Sequence, residues 1–254
     1  MPAELSIRPL AGLPMVEPGD DLAALTLAAM AENGLTFQAG DILVVAQKVI
    51  SKAEGQLIKL ADVEPSARAI ELATETDKDP RLVQLILDES SDLLRKKPGV
   101  LIMRHRLGIV GAHAGIDQSN ISHADGEAAL LLPRDPDTSA AELRLALGKA
   151  TGVELGVIIA DSMNRPWRLG TIGCAIGCSG ITVLDDHVGG KDLFGRELKV
   201  TLINRVDSIA ATATLLMGET TERTPMALVR GFDPEDSPQR AADIYRPLDE
   251  DLFR

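Results

Sequence analysis

Aromatic side chains are nearly missing from this chain: one Trp, one Tyr and four Phe make up 2% of it. A core without large rings must be aliphatic, assembled from Leu, Ile, Val and Ala. Cysteine is scarcer still, with two residues in 254, which excludes a disulfide framework. Basic residues fall short of acidic ones, 26 against 38, and the net charge is −12. A surface of that sign argues against nucleic acid as a partner, because non-specific binding to it needs positive charge. A polyanion remains possible only where a local pocket is basic or carries metal. No apolar run approaches the ~20 residues that cross a bilayer. The opening Met1-Pro-Ala-Glu-Leu-Ser-Ile-Arg8 lacks the charged-then-apolar pattern of a secretory signal. The expectation is a cytoplasmic protein with no membrane partner. The common nucleotide cradles are missing too: there is no Gly-x-x-x-x-Gly-Lys-Ser/Thr loop, and no Gly-x-Gly-x-x-Gly follows a strand.

What the chain does have is three carboxylates, each at the end of an apolar or small-residue run. They are Asp117 in His113-Ala-Gly-Ile-Asp-Gln-Ser-Asn120, Asp161 in Gly156-Val-Ile-Ile-Ala-Asp-Ser162, and Glu219 in Leu215-Leu-Met-Gly-Glu219. Loops at the ends of buried elements can converge. Oxygen ligands of this kind suit a hard cation such as Mg²⁺ or Mn²⁺, and that cation suits nucleotide phosphates. Each has a plainer reading. Asp161, with Ser162 beside it, could cap a turn, and Asp117 and Asn120 are common turn formers. Glu219 follows a predicted helix end, where its charge meets the unfavourable end of the dipole. A cation there would offset the misfit, although a solvated glutamate fits the position as well. Lys48 and Lys52, in Gln47-Lys-Val-Ile-Ser-Lys52, could reach phosphates or lie solvated at the surface. Arg165 and Arg168 flank Trp167, offering bidentate anion recognition beside an apolar wall or simply a packed plug. Cys174 and Cys178 read as small buried thiols, and no Ser-His-Asp or Cys-His arrangement is legible.

The patterning predicts helices over Asp20–Gly34, Pro65–Thr76, Asp79–Leu87 and Ser208–Met217, the last ended by Gly218. Ser139-Ala-Ala-Glu142 reads as a capping box opening a further helix to about Ala150. Strands are predicted at Asp41–Ala46, Val100–Arg104, Gly108–Gly111, Ala129–Leu132, Val157–Ala160, Glu197–Ile203 and Met226–Val229. The mixture indicates an α+β fold with mixed or antiparallel sheets covered by helices. It forms a single domain over 1–254 with a loosely packed tail from about 233.

Six stretches then occur in order: Leu13-Pro-Met-Val16 with Pro18-Gly-Asp-Asp-Leu22; Gln47 to Gly55; Ala114 to Asn120; Gly156 to Ser162 with Arg165-Pro-Trp-Arg168; Lys191-Asp-Leu-Phe-Gly-Arg-Glu-Leu198; and Leu216-Met-Gly-Glu219. Together they resemble the coenzyme F420-0:gamma-glutamyl ligase family, over about residues 9 to 231. The expected form is the single-domain one, without the nitroreductase-like extension of some relatives. The resemblance implies a GTP-dependent ligase that adds L-glutamate to coenzyme F420-0, and possibly to F420-1, through an acyl phosphate. It also implies an intertwined homodimer.

Carried over, Asp117, Asp161, Ser162 and Glu219 match ligands of two divalent cations, Mg²⁺ or Mn²⁺. A monovalent K⁺ is implied without a position. Leu13, Pro14, Met15, Val16, Gln47, Lys48, Lys52 and Asn120 match GTP-contacting positions. So does the loop Met217, Gly218, Glu219, Thr220, Thr221, Glu222, Arg223 and Thr224. Lys48, Lys52, Arg165 and Arg168 are the residues expected to hold the reacting charge. The chain departs from the family pattern at Met163-Asn164, at His113 where an Asn is usual, and at Thr220–Thr224, where the loop is normally Gly-rich. Two other readings stay open: a metal-dependent nucleotide phosphohydrolase, and a non-catalytic nucleotide-binding module.

Overall fold

The structure, a computed structural model, describes residues 4–124 and 126–251. The chain opens with strand β1 (Ser6–Pro9), helix α1 (Leu22–Glu32), β2 (Ile42–Ala46), α2 (Gln47–Ala53) and β3 (Leu57–Lys59). There follow α3 (Ala67–Thr76), α4 (Pro80–Asp88), β4 (Ser90–Lys97), β5 (Val100–His105), β6 (Val110–Ala112) and β7 (Ala128–Leu130). The second half holds α5 (Pro136–Thr151), β8 (Gly156–Asn164), β9 (Thr171–Ser179), β10 (Leu184–Asp186), β11 (Leu202–Asn204), α6 (Arg205–Met217) and β12 (Met226–Arg230). The fold is α+β, as expected.

Local chemistry sets the helix ends. Asp21 caps α1 by accepting from the N–H groups of Ala23 and Ala24, and the left-handed Gly34 (φ 66°) lies just beyond its C-terminus. Ser66 and Asp79 cap α3 and α4, with Pro80 in the first turn of α4. Helix α5 begins earlier than the sequence reading places it. Asp135 is the cap and Pro136 opens the helix, while the Ser139 hydroxyl donates to the Asp135 carbonyl at 3.0 Å. An Asp–Pro pair is a complete start signal, so the downstream Ser-x-x-Glu falls inside the helix.

The main sheet has the order β1-β12-β2-β8-β9, and only the β2–β8 pairing is parallel. Alternation divides its residues between two layers. Leu43, Val45, Val157, Ile159, Met226 and Leu228 face α1 and α5. Ile42, Val44, Ile158, Ala160, Ala227 and Val229 face α6. The small residues of β9 let the helices close on the sheet. A Cβ at Gly173 would lie 2.2 Å from Thr214 Oγ1 of α6, and one at Gly177 would lie 2.4 Å from the Pro136 backbone of α5.

Two strand expectations need correction. Strand β8 does not stop at Ala160; pairing with β9 carries it on to Asn164↔Thr171, so Asp161 and Ser162 lie within a strand. Of Glu197–Ile203, only the last two residues enter a strand, β11, and Glu197 makes a lone bridge with Lys191. Strand β4 has no alternating pattern and pairs with β5 through two register shifts.

A second lobe packs around its own aliphatic core. Leu72, Val83, Ile86, Leu101 and Met103 come from α3, α4 and β5, and the chain around Ala114, Ile116, Ala129 and Leu131 closes it. From Asp233 onward, the only regular element among the described residues is a 3-10 turn, Ala241–Ile244. Glu235 accepts from Thr182 N–H at 2.7 Å, Gln239 accepts from Val183 N–H at 2.6 Å, and Ala241 is fully buried.

Candidate active site

Strand β2 ends at Ala46, opposite Ala160 of β8. Beyond that point the sheet narrows to the β8–β9 ribbon, and Asp161 is the first residue past the step. The chain leaves β2 directly into α2, so Gln47, Lys48 and Lys52 start beside the same edge. Open α/β sheets commonly place ligands at the carboxyl ends of parallel strands, for the same geometric reason.

Lys48 and Lys52 are four apart and share one face of α2. Both reach to the loop that carries Asp117. Lys48 Nζ lies 2.5 Å from Asp117 Oδ2 and donates to Ser119 Oγ at 2.8 Å and to the Ser119 carbonyl at 3.1 Å. Lys52 Nζ donates to the Asn120 carbonyl at 2.9 Å. Asp117 belongs to the second lobe, tied to Leu130 by a single bridge, whereas the lysines belong to the sheet lobe. The site therefore spans the lobe boundary. Asn120 itself is left-handed, with φ 55°.

Burial pushes the Asp117 carboxyl up, but bonds from Lys48 and from the Ser119 N–H and hydroxyl outweigh it and leave it below the usual range. Asp161 goes the other way. Burial raises its carboxyl to about 7 against the Ser162 N–H bond and the Lys48 charge, with Asp117 and Glu219 adding to the rise. Those influences place Lys48, Asp117 and Glu219 in the electrostatic neighbourhood of Asp161. Burial, helped by Lys48, also lowers the Lys52 pKa, and Glu17 opposes that shift.

Glu219 sits just past the end of α6 and accepts from the Thr171 hydroxyl at 2.6 Å, which fixes it to the start of β9. Its loop is closed by Glu222, which accepts from the Thr220 N–H at 2.8 Å and the Thr220 hydroxyl at 3.0 Å. Thr224 Oγ1 donates to the Met217 carbonyl at 2.7 Å, Arg223 is left-handed, and Thr221 is exposed. Gly218 has φ 75°, and a Cβ there would strike Glu222. Leu13 and Val16 are buried in the sheet-lobe core, and Pro14 and Met15 between them are exposed. Gly19 N–H bonds the Ala53 carbonyl, tying that loop to the end of α2. Gln47 is buried; its Oε1 accepts from the Ser51 hydroxyl, while its Nε2 has no protein partner.

Some expected members stand apart. Ser162 is exposed, and strand alternation turns it to the other face from Asp161. Arg165 lies against Cys174, the cross-strand partner of Asp161, and Arg168 is exposed in the same loop. Burial drives the Cys174 thiol up to about 11, and both cysteines are free and buried. Among the described residues, no group of three or more His, Cys, Asp and Glu is gathered closely enough to hold a metal ion. Two contributors were not picked out from the sequence: Ser119, which bonds both Asp117 and Lys48, and Thr171. The Asp-x-Ser spacing of an Asx turn is a local signal for the first; the second has none.

Fold and site together define a class: a two-lobed α+β protein that sets paired lysines against carboxylates at its lobe boundary. The chain belongs to the F420-0:gamma-glutamyl ligase family, whose sequence profile matches residues 12–231. It is 45% identical over 254 residues to a coenzyme F420:L-glutamate ligase of Methanopyrus kandleri, covering 98% of each chain. A protein of the same name from Methanothermobacter thermautotrophicus is 41% identical over 98% of this chain and 99% of its own. One from Archaeoglobus fulgidus is 42% identical over 98% and 96%.

Proposed function

We propose that this chain is a GTP-dependent ligase that joins L-glutamate to coenzyme F420-0 by an amide bond. The observation that carries this reading is the cross-lobe clamp: two lysines on one face of α2 hold the Asp117–Asn120 loop next to the half-buried Asp161. Cations and carboxylates together suit a phosphate–metal assembly better than either would alone. The names of the relatives supply the acceptor and the amino acid.

The donor types, carboxylate oxygens, suit a divalent metal, and binding one would draw together side chains that are not gathered around a common point in this structure. Asp161 is held near 7 by burial and by its acidic neighbours, and this is a cost that a cation would remove. Asp117, Asp161 and Glu219 would hold two such ions, Mg²⁺ or Mn²⁺, and the family resemblance adds Ser162. When bound, the ions would screen phosphate charge and polarise the transferred phosphoryl group. The chain's own residues would do the rest by position and charge. Lys48 and Lys52 would steady the phosphates as Asp117 turns from lysine to metal. Leu13 to Val16, Gln47, Asn120 and the Met217–Thr224 loop would seat the nucleotide. Arg165 and Arg168 would face the acceptor.

In the reaction, an acceptor carboxylate oxygen bonds to the γ-phosphorus, the β–γ bridging bond breaks and GDP departs. The glutamate amine then attacks the acyl carbon, phosphate leaves, and the amine loses its proton. A K⁺ ion and an intertwined homodimer belong to the same proposal. The dimer draws support from Leu169, Leu193 and Phe194, large apolar residues that are almost wholly exposed.

The test is incubation with F420-0, GTP, Mn²⁺ and labelled glutamate, followed by mass spectrometry. The expected outcome is glutamylated acceptor with GDP and phosphate in equal amounts. GTP consumption without acceptor would replace this reading with a phosphohydrolase. GTP binding with no turnover under any acceptor would replace it with a binding module.

A further inference from the structure

Three turns of the second lobe meet just ahead of the Asp117 loop. The turn after α3 carries Asp77 in the left-handed region (φ 52°), followed by Lys78. The β4–β5 turn bonds to it through Gly99 N–H and the Thr76 carbonyl, at 2.7 Å. His113 Nε2 lies 3.2 Å from the Gly99 carbonyl, which makes that nitrogen the donor. His113, Ala114 and Gly115 then run left-handed in succession, with φ 55°, 55° and 71°. Non-glycine residues adopt that region at a cost and keep it only when their surroundings fix them. Here Ala114 is buried, and Leu132 fills the space beside Gly115.

Lys78 is the odd residue at this junction. It is partly buried, and burial lowers its pKa with no carboxylate acting to raise it. It makes no ion pair or side-chain hydrogen bond among the described residues. In a chain with 38 acidic residues and 26 basic ones, the partly buried Arg104, Arg144, Arg205 and Arg230 all pair with acids, and Lys52 donates to the Asn120 carbonyl. Lys78 is close enough to His113 for its charge to depress the imidazole, after burial as the larger cause, while Asp117 pulls the other way. A shielded ammonium with no partner, on a rigid junction beside an active-site loop, is suited to an anion supplied from outside.

We propose that Lys78, with His113 as its neighbour, is the subsite for a carboxylate of the incoming L-glutamate. This rests on the ligase reading above, which needs a small amino acid with two carboxylates held near the Asp117 loop.

The test is titration of L-glutamate into the parent, Lys78→Met and Lys78→Arg, with steady-state kinetics on the same proteins. Loss of a charge-assisted bond should weaken glutamate binding and raise its KM about tenfold or more in Lys78→Met. Lys78→Arg should recover most of that loss, and the KM for GTP and the unfolding temperature should stay put. Unchanged glutamate affinity in Lys78→Met would overturn the inference, and so would a rise confined to the KM for F420-0. A parent that binds glutamate through Lys78 yet forms no product would sink the ligase reading and leave the subsite standing. Product formation with an unchanged glutamate KM would do the reverse.

Discussion

At Asp161 a single carboxyl balances burial against function. Its pKa is raised to about 7, first by burial. A carboxyl that holds its proton more tightly in the folded protein favours folding only while protonated. The metal-free contribution of Asp161 should therefore be most favourable below the ordinary carboxylate range and be lost as pH rises towards about 7, opposite in sign to that of Asp117, whose lowered pKa favours folding at higher pH. Asp161→Asn removes that ionisation and can still accept the Ser162 N–H bond at 2.9 Å. With a chelator present, thermal unfolding across the window should show less loss with rising pH for the variant, which should match or exceed the parent above neutrality. Its turnover should fall on the order of 10²-fold, as when one charge-stabilising group is removed from a transition state. A large loss of metal-free stability would make Asp161 a structural residue instead. The position of this carboxylate was legible in the sequence, because an apolar run ends there. Its environment was not, because that depends on Lys48, Asp117 and Glu219, which are distant in the chain.

Secondary-structure elements divide the same way. Helix ends were readable at Asp79-Pro80 and Gly34, where a cap and its proline or a closing glycine mark them, but the equivalent Asp135-Pro136 start of α5 was masked by the Ser139-x-x-Glu142 pattern downstream. Strand extents were not readable, because β8 is prolonged by β9 and β4 is paired only by virtue of β5. The small residues of β9 have a cause visible only in three dimensions: α6 rests directly on Gly173. A methyl there would lie 2.6 Å from the Ala210 carbonyl as well as against Thr214, so the helix backbone itself must shift. Gly173→Ala should destabilise the protein by about 1–3 kcal/mol. It should be read as a lower urea midpoint with an unchanged slope. Gly111→Ala meets nothing within 4 Å and should be close to neutral. Equal midpoints for the two variants would show that α6 yields freely.

For the whole molecule, the two lobes are joined at the site itself by the Lys48–Asp117 and Lys52–Asn120 contacts. Divalent metal and nucleotide should therefore bind as one event. Removing metal should weaken GTP binding by about tenfold or more, or ~1.4 kcal/mol, in a calorimetric titration; equal affinity with and without metal would separate the two sites. The proposed homodimer gives a second global expectation. Trp167, Leu169, Leu193, Phe194 and Val200 expose apolar surface around the β8–β9 loop and the segment before β11. A permanent interface of about 2,000 Å² or more would cover side chains of this kind. Unfolding midpoints should then rise with protein concentration, and a stable, active monomer at nanomolar concentration in sedimentation would refute the dimer.

The sequence by itself determined an aliphatic core, capped helices, an α+β class and the run of motifs that marks the family. Each of these rests on neighbours in the chain: an Asp before a Pro, a lysine four residues from a lysine, an apolar run ended by an acid. Only the tertiary structure decided that Lys48 meets Asp117 across the lobe boundary and that Ser162 faces away from Asp161. It also decided that Lys78 lies shielded beside His113 with no acid to meet it. Burial and long-range charge make those differences, and both depend on which distant segments the fold brings together.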